Sequence, residues 1–508
     1  MDQLDEMPIA TGQTTGSARF DVVNPATGEV VGNYPVHTAD DVVKAVAQAR
    51  EAQSWWEALG YDGRKPYIRR WLRWLALHCD EVYEIGHRET ARPKADVQFE
   101  LFAGLEDARW ATAHAKRVLR RRRVAPGIAM PNFDARLSYH PLGVIGVITP
   151  WNAPVYLTLT GVGAALAAGN AVVVKPSELS PGSAIIAIEA FQRANPDAPA
   201  GLVSWVTGFG DTGAALCTSG VDKLAFTGSA PTGRRVMAAC AAGLTPVVLE
   251  LGGKDATIIA DDADLDAAAT GVIWGGLFNG GQACVGVERV YVVESVRDAF
   301  LAKVRERLTG ITAGVEELSA YGPMTVEAQV GIVRRHVSDA LEAGAQALVG
   351  GLDSIRSPFI DPIVLVDVPE GCSAVQEETF GPVVVINTVP TIDDAVRRAN
   401  GTSFGLGSSV YSKGHGTAIA ARLRAGGTTI NAVLTFVGLS SIPFGGVGDS
   451  GFGRFHGDAG LREFSYAKST ARKRFNLGKK EMQSFPRTQD QFDVVRKTLR
   501  LRYGRTFH

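Results

Sequence analysis

One cysteine stands among five glycines in GGLFNGGQACVGVERV, from Gly275 to Val290. A deprotonated thiol is a strong nucleophile, and glycine lets a ligand come close to the main chain, so the stretch suggests a Cys284 sulfur that something must reach. A core cysteine in a tight bend would use the same residues. Lys175 and Glu178 leave the run AVVVKPSE at its carboxyl end, where open α/β sheets bind ligands. A cation and a carboxylate there suit ribose hydroxyls, and a solvated surface pair equally well. FTGSAPTGRRVM passes from an apolar run through glycines toward a helix whose first N–H groups suit a pyrophosphate. It lacks the GxGxxG order, and VTGFGDTG matches that order no better.

Chemistry of this kind needs a scaffold, and the surrounding pattern supplies one. The runs VIGVITP, AVVVKP, LVSWVTG and KLAFTGS alternate with helical segments such as SAIIAIEAFQRA and PTGRRVMAACAA, which predicts a parallel, doubly wound α/β sheet. A second α/β region follows VVLELGG: the strand ATIIA, the helix ATGVIWGGLF, the strand RVYVVES and the helix RDAFLAKVRERL. Ahead of the first of these runs, from about Arg117 to Arg136, KRVLRRRRVAPGIAMPNFDAR is basic and broken by Pro and Gly, and reads as an excursion from the first sheet.

Composition removes other classes. The 508 residues exceed one ordinary domain; 45% are apolar and 21% charged, as in globular enzymes, and the net charge of -1 offers no field for nucleic acid. Five cysteines lie scattered, without CxxC pairs or histidines at metal spacing, so neither a disulfide framework nor a metal site is expected; this fits a reducing cytoplasm. The N-terminus is acidic and polar where a signal peptide would be basic and then apolar. The longest apolar run, GVGAALAAGNAVVVKP, is broken before it could span a bilayer.

Taken together, NPATGEVV, PWN (150–152), KPSE (175–178), FTGS (226–229), LELGGKD (249–255), GQAC (281–284), EETFGPV (377–383) and PFGG (443–446) resemble the NAD(P)-dependent aldehyde dehydrogenases, in family order from about Asn24 to about Tyr466. The resemblance implies two doubly wound α/β domains plus a small oligomerisation region. Its divisions are a dinucleotide-binding domain over 1–119 and 142–248, a catalytic domain over 249–448, and a bridging region over 120–141 and 449–508.

It also implies roles. Cys284 is the nucleophile that adds to the aldehyde carbon, giving a thiohemiacetal and, after hydride loss, a thioester. Asn152 supplies the oxyanion donor with the Cys284 backbone N–H, although its position alone favours a helix cap. Glu250 is the base that activates water against the thioester; the bland alternative is a core carboxylate paired with Lys254. Trp151, Lys175, Glu178, Gly210, Gly228, Ser229, Gly233, Glu378 and Phe380 hold the cofactor. A carboxylate at 178 favours NAD over NADP, because it accepts from a 2′-hydroxyl and repels a 2′-phosphate. The presence of Glu250 favours hydrolysis over transfer to coenzyme A.

Three departures separate the chain from the usual family pattern. Gly286–Arg289 reads GVER where many members have AGSR, the stretch AVLTFVGLSSI before PFGG is long and apolar, and a basic tail follows GFGRFHGDAG. Such features resemble a bacterial branch of succinate-semialdehyde and broad-range dehydrogenases. The expected pocket residues, Ala153, Tyr156, Leu157, Thr160, Val285 and Phe436, with Leu434 and Val437 beside them, include no cation, so an uncharged hydrophobic or aryl aldehyde is expected. Succinate semialdehyde, admitted by an arginine such as Arg289, is the alternative substrate. A non-catalytic binding protein is the alternative class, although all three catalytic residues are present. In the tail, Phe492, Val495 and Leu499 recur at helical spacing beside Arg496, Lys497 and Arg500. This stripe fits a neighbouring subunit of a homodimer or homotetramer better than an anionic membrane, which so short a stripe would hold weakly.

Overall fold

The computed structural model describes residues 19–476 and 485–504. Among these, one compact unit runs to Val118 and resumes from Pro141 to Tyr466; a smaller one holds Leu119–His140 and the chain from Ala467. The larger unit contains both predicted sheets. In the first, the spatial order is Gly451–Phe452, Val247–Glu250, Lys223–Thr227, Val144–Ile148, Ala171–Lys175 and Val203–Trp205. All neighbours are parallel except Gly451–Phe452, which runs antiparallel to Val247–Glu250. The chain thus stays with the larger unit to Tyr466 and passes to the smaller one at Ala467.

The three central strands are buried at every residue, which is why they read as continuous apolar runs rather than as alternating ones. Burying each such valine, leucine or isoleucine is worth about 1.5–3 kcal/mol. From Val144–Ile148 the chain first adds two strands on one side and then returns to add Lys223–Thr227 on the other. This reversal opens a crevice at the strands' carboxyl ends, the place where such sheets bind ligands. Trp151 and Asn152 follow one bordering strand, Gly228 and Ser229 the other. Helix Pro154–Ala168 starts just beyond, with proline in its first turn and Gly169 in a left-handed cap.

The second sheet has the order Gln346–Val349, Ile363–Val366, Val383–Val389, Val287–Val293, Asp255–Ile259, Gly407–Tyr411 and Gly427–Ile430. Only Gln346–Val349 pairs antiparallel. The predicted helices appear as Leu265–Leu277 and Arg297–Leu308.

Four helices before residue 120 have no counterpart in the sequence prediction: Ala39–Ala58, Gly60–Leu77, Cys79–Thr90 and Lys94–Leu119. The first starts with a reciprocal Thr38–Asp41 capping box. Buried tryptophans tie this layer to the helices of the first sheet: Trp56 Nε1 donates to Leu166 O at 2.9 Å and Trp71 Nε1 to Ala187 O at 2.8 Å.

The basic excursion forms Arg122–Val124 and Phe133–Pro141, joined with Ser465–Lys473 in a three-stranded sheet. The tail helix spans Gln489–Tyr503, with Phe492, Val495 and Leu499 exposed; residues 477–484 and 505–508 of the expected tail lie outside the described residues. Among the described residues no helix is long and apolar enough to cross a membrane.

Candidate active site

Helix Leu265–Leu277 runs into a tight turn, Phe278–Gly281, in which Asn279, Gly280 and Gly281 all have positive φ. A Cβ at Gly281 would stand 2.0 Å from the carbonyl oxygen of Gly381. That glycine therefore lets two backbones touch, and the glycine content before Cys284 owes as much to packing as to ligand access. Cys284 follows the turn, half-buried.

Asn152 does not act as a helix cap. Ala153 occupies that position without a side-chain bond, while Asn152 Nδ2 donates to Gln282 O at 2.9 Å, two residues before the cysteine. An amide has two N–H donors, so one remains free once the other is committed. A buried network that the sequence did not reveal fixes this arrangement. Arg92 Nη1 donates to Asn152 O at 2.8 Å and to Asn279 Oδ1 at 3.2 Å, and pairs with Glu100 at 2.5 Å. Asn279 Nδ2 reaches Asn152 O and Gln282 O, at 3.0 and 3.1 Å. Arg92 is local to TARPK in sequence and gains its partners only through the fold.

Glu250 ends strand Val247–Glu250, fully buried, and neither carboxylate oxygen has a hydrogen-bond partner. Burial raises its carboxyl to about 7, against a smaller opposing effect of the adjacent Cys284 thiol and Thr227 hydroxyl. The alternative pairing with Lys254 is not what forms: Lys254 bonds Glu288 and the Thr379 hydroxyl. Burial also pushes the Cys284 thiol well above its ordinary range, reinforced by Glu250, Glu378 and Asp255. That direction favours the protonated thiol, whose proton must move before the sulfur attacks.

The expected cofactor residues arrive from both sheets. Trp151 and Phe380 meet edge to face, with ring centroids 5.6 Å apart. Glu378 lies half-buried against the glycines of LELGGKD: Gly253 N donates to it at 2.8 Å, and a Cβ on Gly252 would stand 2.3 Å from its Oε2. Burial, then the charge of Glu288, lifts its carboxyl to about 8. Lys175 Nζ lies 3.4 Å from Glu178 at the end of its strand. Ser229 caps helix Ala230–Ala241, in which Gly233 packs on Leu251; Gly228 precedes the cap. Gly210 opens helix Gly210–Thr218, with empty space where a side chain would stand.

Of the expected pocket residues, Ala153, Tyr156, Leu157 and Thr160 occupy the start of helix Pro154–Ala168, and Val285 is buried beside Cys284. Tyr156 OH lies 3.0 Å from His456 Nε2 and donates to Val437 O at 3.3 Å. His456 Nε2 is 2.7 Å from Asp107 Oδ2, to which Thr160 donates at 2.9 Å. The Phe436 ring covers the backbone of Gly407 and Gly427, and rings meet in series from Phe436 through Phe444 and His456 to Tyr156. Leu434 packs on the core of the second sheet instead of facing these residues. Arg289 does not enter: its guanidinium donates to the carbonyls of Lys254, Arg398 and Ala399.

Glu288 is a further residue that the sequence signals. It is a carboxylate inside the apolar run VGVERVYVV, and a charge buried in a strand must find a partner.

The sequence profile of the Aldehyde dehydrogenase family matches residues 12–470. The chain is 36% identical over 486 residues to a 4,4'-diapolycopene aldehyde oxidase of Methylomonas sp, covering 95% of this chain and 91% of that protein. It is also 36% identical over 453 residues to a glutarate-semialdehyde dehydrogenase of Pseudomonas putida, covering 87% and 92%. The crystal structure of an NAD-dependent aldehyde dehydrogenase from Sinorhizobium meliloti superposes with a TM-score of 0.86 at 33% identity, over 92% of this chain and 94% of that one. A cysteine, a buried unpaired glutamate and a fixed amide at the mouth of two doubly wound sheets, with likeness of this extent, establish that the chain belongs to the aldehyde dehydrogenase family of oxidoreductases.

Proposed function

We propose that the chain oxidises an uncharged, hydrophobic or aryl aldehyde to the carboxylic acid with NAD, through a covalent adduct on Cys284. The observation that carries this reading is Glu250: a buried carboxylate with no partner, held near pH 7 beside the thiol. In the addition step the Cys284 thiol gives its proton to solvent, the sulfur bonds to the carbonyl carbon, and the C=O electron pair moves onto the oxygen, where charge grows. The Asn152 N–H not used by Gln282 is the donor aimed at that charge. When bound, the oxidised nicotinamide supplies the hydride acceptor. Glu250 then takes a proton from water as the water oxygen attacks the thioester carbon; the C–S bond breaks and the acid leaves. NADH absorbance with a panel of aldehydes tests the whole reading, and no turnover with any of them would reject it.

The residues at the first crevice suit a dinucleotide. The N-terminus of helix Ala230–Ala241 offers backbone N–H groups to a pyrophosphate, Gly210 leaves open space beside the sheet, and Lys175 with Glu178 matches two ribose hydroxyls. Because Glu178 repels a 2′-phosphate, kcat/KM with NAD is expected to exceed that with NADP by at least ~10-fold, ~1.4 kcal/mol. Glu178→Ser should narrow that gap. A wild-type preference for NADP would remove the assignment.

Relatives point both ways on substrate, since one is named for a polyene aldehyde and another for a semialdehyde carrying a carboxylate. Pocket chemistry supports the uncharged class. Among the described residues none of the expected lining side chains hydrogen-bonds a lysine or arginine; Tyr156 and Thr160 instead lead to Asp107 and His456. An incoming carboxylate would meet a buried carboxylate without a matching cation. Benzaldehyde or a medium-chain alkanal should therefore exceed succinate semialdehyde in kcat/KM by at least ~10-fold. The reverse ranking would show that a cation reaches the pocket.

A further inference from the structure

We infer that Glu288 is a positioning residue that sets the nicotinamide end of the cofactor site, by clamping the turn that carries Glu378 and Phe380. It rests on the reading that those two residues hold the nicotinamide ribose. Glu288 stands in the segment GVER that follows Cys284.

The geometry is that of an anion in a nest of backbone donors. Thr379 N–H reaches Glu288 Oε2 at 2.9 Å and Oε1 at 3.1 Å, and Phe380 N–H reaches Oε1 at 2.9 Å. Successive N–H groups converge in this way when one residue of the turn is left-handed, and Phe380 has φ 49°. A bulky residue seldom adopts that conformation unaided, so something must hold it. The carboxylate does so from strand Val287–Val293, which is buried throughout. Lys254 neutralises it and also donates to Thr379 Oγ1 at 2.9 Å, while Gln329 Nε2 holds Thr379 O at 2.6 Å. The turn is thus fixed on both sides, with Glu378 and the Phe380 ring held where they meet Gly253 and Trp151.

The site has an adenosine end and a nicotinamide end, and the inference concerns only the second. Glu288→Gln keeps the shape but weakens the acceptor for two N–H groups and leaves Lys254 charged. The double variant Lys254→Met with Glu288→Gln removes both charges, in case the single one does not fold. Protein-fluorescence titration with NAD and with AMP separates the two ends, and thermal melting reports the fold. Expected is NAD binding weakened by at least ~5-fold with AMP binding within ~2-fold of wild type. Glu378→Gln should show the same pattern. Equal weakening of both ligands, or no weakening of either in a variant that melts like wild type, would overturn the role of Glu288. If Glu378→Gln itself leaves the NAD-to-AMP ratio unchanged, the placement of the nicotinamide ribose is wrong, and this inference goes with it.

Discussion

Cys284→Ala should lose aldehyde oxidation by about 10⁴-fold or more, and lose any ester hydrolysis with it, while melting temperature and NAD binding stay near wild type. Both reactions need a covalent acyl-enzyme, and among the chain's cysteines only this one stands beside Asn152 and Glu250. Cys217 and Cys240 are buried in the helices of the first sheet, and Cys79 and Cys372 lie in other surroundings. The electrostatics sharpen the expectation. With burial first, and then Glu250, Glu378 and Asp255, raising the thiol, wild-type Cys284 should react slowly with iodoacetamide at neutral pH in the free enzyme. A Cys284→Ala enzyme that still oxidises aldehydes at an appreciable rate would end the covalent mechanism.

Much of this was legible before any coordinates. The strand runs that appear buried at every residue, such as Val144–Ile148 and Asp255–Ile259, announce themselves because a strand covered on both faces needs no polar alternation. The helical layer before residue 120 does not, since its buried aliphatic and tryptophan side chains are spaced among polar residues, and Trp56 and Trp71 find their main-chain carbonyl partners over a hundred residues away. The site divides along the same line. Cys284, Asn152 and Glu250 sit in strong local motifs. Which carboxylate pairs with Lys254, and what the Asn152 amide bonds, depends on residues brought together by folding: Glu288 in one case, Gln282 in the other. The loop after Asn431 is less legible, because its positive-φ positions at Asn431 and Leu434 follow from no pattern of apolar residues.

Glu250→Gln should still form the thioester but fail to clear it. The expected result is one NADH per active site in a burst, followed by turnover at least ~100-fold slower than wild type, the scale of a lost general base. Glutamine fills the same space without accepting a proton, and among the described residues the side chain has no ion pair to lose, so the change should cost little stability. The pH dependence gives an independent check. Burial raises the carboxyl to about 7 by penalising the charged form, and the base is the deprotonated form. Wild-type deacylation should therefore fall as pH drops through about 7 and level off above it, while the slow rate of Glu250→Gln should show no such step. If the variant turns over at the wild-type rate at neutral pH, another group activates the water. If it turns over slowly but keeps the step near pH 7, the titration belongs to Glu378 or Asp255, each raised to about 8, and Glu250 serves some purpose other than that of the base.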